Sequence, residues 1–200
     1  MDVELEVVPS KVLVPSSTGA GAQFNQHVYA AITGAPLERF ADLEEKVALL
    51  GPQLVRIFYN DRQESGARDQ LESFVLVAEL AQRAGATVNV TWQSGGVSTP
   101  DRSMGRFAEV LAYLADTRGL SGVRWATVQN EPNTTKITFE QYGALYRALD
   151  RHLAAAGVRD QVRLMGGDLV QDDQKAWLAY MASRLAGLLD AYSIHVYWDY

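Results

Sequence analysis

Glu131 stands at the end of the run RWATVQ, residues 124–129, with Asn130 before it and Pro132 and Asn133 after it. Trp125, Ala126 and Val128 have the character of a strand crossing a core, so the chain carries a carboxyl to a strand tip and fixes the backbone there. Pro132 biases the residue before it toward extended backbone, which predicts an extended Glu131. A carboxyl lodged beside apolar residues and near a second carboxylate has its pKa raised, as a proton donor requires. In an open loop the same residue would be an ordinary solvated carboxylate. Arg56 lies inside the apolar run LVRIFY, 54–59. A guanidinium is costly to bury without a carboxylate partner, so Arg56 is either a structural ion-pair member, a functional group, or both. His195 and Tyr197 are two residues apart in YSIHVY, 192–197, and in a strand that spacing puts both side chains on one face. His195 has the alternative of a satisfied core histidine.

The elements that must position these groups alternate. Apolar residues recur at helical spacing over 36–50, 69–84, 103–118, 138–156 and 173–186, with glycines at 51, 85, 119, 157 and 187 just behind. Pro36 suits a first helical position, Ser103 is an N-cap candidate, and Thr138 with Gln141 has capping-box spacing. Between the helices lie AQFNQHVYA (22–30), LVRIFY (54–59), TVNVTW (87–92), WATVQ (125–129), VRLMG (162–166) and YSIHVY (192–197). The glycines repeat every 30 to 38 residues, the length of a strand, a helix and two loops, which is the βα pattern of a parallel sheet. Residues 1–17, with Pro9 and Pro15, fit an extended segment or small hairpin outside the repeat, and 18–200 form the repeating domain.

An open doubly wound sheet expects a glycine-rich phosphate loop after an early strand, but Gly19 and Gly21 precede the first strand. A closed (β/α)8 barrel expects functional residues at the C-terminal ends of several strands. That arrangement is present: Asn25, Gln26 and His27 at the first strand, Asn60 and Asp61 at the second, and Trp92 and Gln93 at the third. Asn130 and Glu131 follow at the fourth, Asp168 at the fifth, and His195, Tyr197 and Trp198 at the sixth. Such a surface suits saccharides, whose hydroxyls pair with amides and carboxylates and whose C–H faces stack on Trp. Trp92 and Trp198 divide evenly between stacking and packing, while Trp125 and Trp177 read as core or helix-packing residues.

The totals narrow the partners. The 200-residue chain carries a formal net charge of −6, which gives no electrostatic footprint for nucleic acid or an anionic membrane. No apolar run approaches the ~20 residues of a membrane span. The chain has no cysteine, which excludes disulfides, thiolate metal sites and a Cys nucleophile. The three histidines show no metal-ligand spacing, and Asp172 with Asp173 reads as a helix N-terminal charge pair. His152 falls on a helix surface and His27 is undecided. No cofactor is expected. The acidic N-terminus has no signal pattern, although a saccharide substrate would fit an extracellular setting.

Asn-Glu-Pro ending strand four, an Arg inside strand two and His-x-Tyr on strand six together resemble the clan A glycoside hydrolases, retaining (β/α)8 enzymes, over roughly residues 20–198. NEPN followed by FEQYGALYRAL is more similar to family 39, and His195-x-Tyr197 to family 5. The resemblance implies an α/β TIM-barrel fold acting on an oligosaccharide or polysaccharide. Glu131 would be the general acid/base and Asn130 would bond the sugar 2-hydroxyl. Arg56 would lie beneath the nucleophile, Tyr197 would hydrogen-bond that nucleophile, and His195 would contact substrate or the acid/base. Trp92 and Trp198 would stack on sugar, and Asn25 would join the substrate-binding set.

One feature departs from the family. Its nucleophile stands at the end of strand seven, and the chain reaches Tyr200 just beyond strand six. Closing eight strands would take roughly 65 further residues. Neither Asp168 nor Asp199 matches the nucleophile's place. The expectation is therefore an incomplete barrel of about six βα units, inactive as an isolated polypeptide. Its two open sheet edges would invite self-association or a completing chain. The alternatives are a non-catalytic carbohydrate-binding or scaffolding barrel, and an unrelated βα enzyme.

Overall fold

The computed structural model describes residues 19–25, 37–60, 67–93, 96–170 and 174–197. Its strands are β1 (Gly21–Phe24), β2 (Leu54–Tyr59), β3 (Thr87–Trp92), β4 (Val123–Val128), β5 (Arg163–Leu169) and β6 (Ala191–Ile194). All pair in parallel, in chain order from β1 to β6. Helices α1 (Phe40–Leu50), α2 (Ala67–Arg83), α3 (Pro100–Ala112), α4 (Phe139–Ala155) and α5 (Gln174–Arg184) alternate with them. Six parallel strands curl into part of a barrel with helices outside, the architecture of an incomplete TIM-type α/β barrel.

Strand alternation sorts the side chains into two faces. The outer face presents Val55 and Ile57 from β2, Val88, Val90 and Trp92 from β3, Ala126 and Val128 from β4, and Leu164 from β5. All are fully buried against helical residues such as Phe74, Phe107, Leu111, Leu145 and Leu149. Tyr59 leaves β2 on the same side and stacks on Phe107, with ring centroids 5.8 Å apart. On the inner face Arg56 reaches Thr91, Thr127 donates to Asn89, and Arg163 lies over the Trp125 ring. Trp125 is therefore a half-buried inner-face residue, away from the helical core expected for it.

The helix signals hold with local exceptions. Thr138 accepts from the Gln141 amide and the Gln141 side chain accepts from the Thr138 N–H, the capping box the spacing predicts. Gly51 ends α1 in the left-handed conformation, φ 54°. By contrast α3 begins at Pro100 with Thr99 before it, so Ser103 is a buried residue of the first turn and not a cap. Proline fits the first position because its missing N–H would have no partner there. The end of that helix widens into a π turn over Tyr113–Thr117. β1 ends at Phe24, before the expected limit, and 1–17, His27, Asp172, Asp173, Trp198 and Asp199 lie outside the described residues.

Tyr192, Ile194 and Val196 are exposed on the outer side of β6 and just past it, at 46%, 52% and 61%. Among the described residues no helix is long and apolar enough to cross a membrane.

Candidate functional site

The tips of β2, β4, β5 and β6 bring their polar groups to one place. Arg56 is the hub. Its Nε donates to Thr91 Oγ1 (2.9 Å) and its Nη2 to Asn130 Oδ1 (2.7 Å) and to Asp168 Oδ2. Its Nη1 lies 3.3 Å from Gln23 Oε1 and 3.3 Å from His195 Nε2. Burial pulls the Arg56 pKa down, and the charges of Asp168 and Glu131 push it back up.

Glu131 is joined to this hub through β6. Its Oε1 lies 2.9 Å from His195 Nδ1 and accepts from the Tyr197 hydroxyl at 2.7 Å. Two expectations change here. The backbone of Glu131 is left-handed, φ 47° and ψ 54°, although a residue before proline favours extended backbone. It caps a short 3-10 turn over Pro132–Thr134, in which the Thr134 N–H and hydroxyl both bond the Glu131 carbonyl. Its carboxyl pKa is lowered, not raised. The Tyr197 hydrogen bond is the largest cause, burial opposes it, and His195 and Arg56 add to the lowering. The groups around Glu131 all favour its anion, whereas a raised pKa needs burial or a neighbouring carboxylate to dominate. Among the described residues the Tyr197 hydroxyl donates to Glu131 itself.

Asp168, read at the end of the fifth strand, is the second acid of the site. Its side chain is 2% exposed, and it accepts from Arg56 on Oδ2 and from Ser193 Oγ on Oδ1 at 2.7 Å. His195 Nε2 stands 3.6 Å from Oδ1. Arg163, Met165 and Gly167 face inward on β5, so strict alternation would send residue 168 to the helices. A bulge prevents this: Gly167 pairs with Ser193 and Leu169 with Ile194, leaving Asp168 unpaired between them. Gly167 has φ 119° and Asp168 φ 53°. A Cβ at 167 would overlap the carbonyl oxygen of Ser193, so only glycine permits the bulge. Arg56 thus pairs with Asp168, the structural ion-pair alternative that its place in an apolar strand allowed.

Two buried tyrosines of α4 hold the strands that carry the two acids. The β4–β5 register covers only Trp125–Thr127 against Arg163–Met165. Above it the Tyr146 hydroxyl donates to the Met165 carbonyl (2.5 Å) and accepts from the Val128 N–H (3.0 Å). The Tyr142 hydroxyl accepts from the Gly167 N–H at 2.9 Å. Burial pushes both phenols well above their ordinary pKa, so both stay protonated.

The remaining candidates divide. Trp92 is fully buried in the outer core, and no partner for its Nε1 is found among the described residues. It pairs in register with outward-facing Tyr59, which puts it on the opposite face from Arg56 and removes it as a stacking platform. Asn25 is exposed just past β1, and Trp198 lies outside the described residues. His152 is on α4 and pairs with Asp101 at 3.0 Å. Gln23, Thr91 and Ser193 belong to the site and were not singled out. Their signal is register, since Gln23 is aligned with Arg56 and Ser193 with Gly167. Among the described residues no group of three or more His, Asp and Glu side chains is arranged to hold a metal ion.

No family model matches this sequence, and no curated protein matches it. Among solved structures it is similar to the virulence factor SghA in complex with its substrate analogue salicin, at 13% identity and a TM-score of 0.45. The match covers 74% of this chain and 41% of that one, so the chain spans about two fifths of that structure's length. A likeness at this level says nothing of what the chain binds or does.

Proposed function

We propose that the strand tips form a saccharide site of the retaining glycoside hydrolase type, with Glu131 as its acid/base. One observation carries the reading: Glu131, set in Asn-Glu-Pro past β4, contacts both members of His195-x-Tyr197, while Arg56 binds the neighbouring Asn130. In this reading Glu131 protonates the leaving glycosidic oxygen and later takes a proton from water, and the Asn130 amide faces the 2-hydroxyl. Double displacement also needs a carboxylate nucleophile about 5 to 5.5 Å from the acid/base. Asp168 does not fill that role, because Arg56 and Ser193 occupy its oxygens in a buried setting.

A second reading, saccharide binding without turnover, is favoured by the lowered pKa of Glu131 and by the closed hydrogen-bonding of Asp168. Two measurements separate the readings. Isothermal titration with a panel of oligosaccharides tests binding, and release of aryl alcohol from aryl glycosides tests turnover. The hydrolase reading expects binding by this chain and, once a strand-seven carboxylate completes the site, turnover that falls at least ~100-fold in Glu131→Gln. Binding with no turnover leaves the second reading standing, and neither response removes both.

A further inference from the structure

The site has an unresolved demand: an acid/base must carry a proton for half of its cycle, yet Tyr197, His195 and Arg56 all stabilise the Glu131 anion. His195 lies between the two acids of the site, Nδ1 toward Glu131 at 2.9 Å and Nε2 toward Asp168 at 3.6 Å. Ionised Glu131 offers only acceptors, so Nδ1 carries the proton in that contact. On the far side Nε2 has two neighbours with opposite requirements. Arg56 Nη1, at 3.3 Å, is a donor and needs a bare nitrogen; Asp168 Oδ1 is an acceptor and needs an N–H. The closer approach of Arg56 is that of the neutral ring, and 3.6 Å is beyond a direct hydrogen bond.

We propose that Asp168 is the positioning residue of this site, a buried carboxylate that holds a proton on His195 Nε2 so that the Nδ1 proton can pass to Glu131. The inference rests on the acid/base reading of Glu131. When His195 is doubly protonated, Nε2–H turns from Arg56 to Asp168. The Nδ1–H bond then breaks as the Oε1–H bond of Glu131 forms, leaving a neutral ring with its proton on Nε2 and a neutral carboxyl. One proton moves, and no other bond changes. Without the charge at 168, Arg56 alone would face Nε2 and disfavour both states that the transfer needs. The bulge at Gly167 serves this arrangement, since it brings an otherwise outward residue within reach of the ring.

Among the described residues, the groups facing the imidazole are Asp168 from β5, Glu131 beyond β4, Arg56 from β2 and Tyr197 beyond β6. The pKa of His195 is raised, first by Asp168 and then, against burial, by Glu131. Imidazole nitrogen NMR on the intact chain, with His195 assigned from the resonance lost in His195→Gln, reads that pKa directly. Asp168→Asn is expected to lower it by about one unit or more, and Asp168→Glu to recover most of the shift. A His195 pKa unmoved in folded Asp168→Asn overturns the proposal. Should that variant not fold, Ser193→Ala keeps the charge and frees Oδ1 for the ring. It is expected to raise the His195 pKa by about a few tenths of a unit, and no change there overturns the proposal as well. No saccharide enters these titrations. Shifts as expected without saccharide binding or turnover therefore defeat only the acid/base reading, whereas turnover with an unmoved His195 defeats only the role of Asp168.

Discussion

The two faces of the sheet are held together by different physics. The outer face is dry and apolar, and each strand contributes alternate aliphatic or aromatic residues to a continuous layer under the helices. Its stability comes from area removed from water and from close packing, which are non-directional and spread over many residues. The inner face near the strand tips concentrates its interactions in one guanidinium, where Arg56 touches Thr91, Gln23, Asn130, Asp168 and His195. Loss of one outer residue leaves a cavity that its neighbours partly fill. Loss of one inner charge leaves another charge buried without compensation. Robustness and chemistry therefore sit on opposite sides of the same strands.

The largest expected effect is on the outer face. Phe107 is fully buried in α3 and stacks on Tyr59. Phe107→Ala should cost about 3–5 kcal/mol, by lost burial plus a cavity, read as a fall in the urea midpoint with an unchanged slope. On the inner face Arg56→Met should cost about 3 kcal/mol, because Asp168 is left buried without its cation. The comparison is sharpest in the double variant. Arg56→Met with Asp168→Asn should lose less than the sum of the two single changes, whereas an outer-face change paired with Arg56→Met should add to it. Additivity between Arg56 and Asp168 in a double-mutant cycle would erase the distinction between the faces.

The same division decides how much could be read from the sequence. β2 and β3 fall on the runs 54–59 and 87–92 because alternating apolar residues are the direct signature of a face that meets helices. The capping box at Thr138 is local chemistry and was equally legible. Arg56, Asn130, Glu131, His195 and Tyr197 could be picked out because polar groups at apolar strand ends contradict the pattern around them. Trp92 was left divided between stacking and packing although the signal for packing existed: it shares the parity of Val88 and Val90, and that parity faces the helices. Asp168 was legible as a strand-end acid, but its inward turn was hidden for the opposite reason. Its parity points outward, and only the Gly166-Gly167 pair ahead of it hints that the strand gains an unpaired residue there. The left-handed Glu131 was hidden too, since the turn bonded to its own carbonyl overrides the preference that Pro132 imposes.

The smallest effect is electrostatic and belongs to the contact that joins β4 to β6. The pKa of His195 is raised above its ordinary 6.5, first by Asp168. Protonated His195 therefore stabilises the fold fully below that ordinary value, and the contribution is lost as pH rises through the higher, folded-state pKa. Glu131 moves the other way, lowered from an ordinary 4.5 chiefly by the Tyr197 hydroxyl. Its contribution is present above the ordinary value and fades as pH falls through the folded-state pKa. Between the two ordinary values both groups are charged and paired, so the difference in urea midpoint between the natural chain and His195→Gln should be greatest there and shrink toward alkaline pH. Phe107→Ala, on the other face, should shift the midpoint equally at every pH. A His195→Gln difference that stays flat with pH would mean that the imidazole contributes to the inner face by shape alone, as the outer residues do.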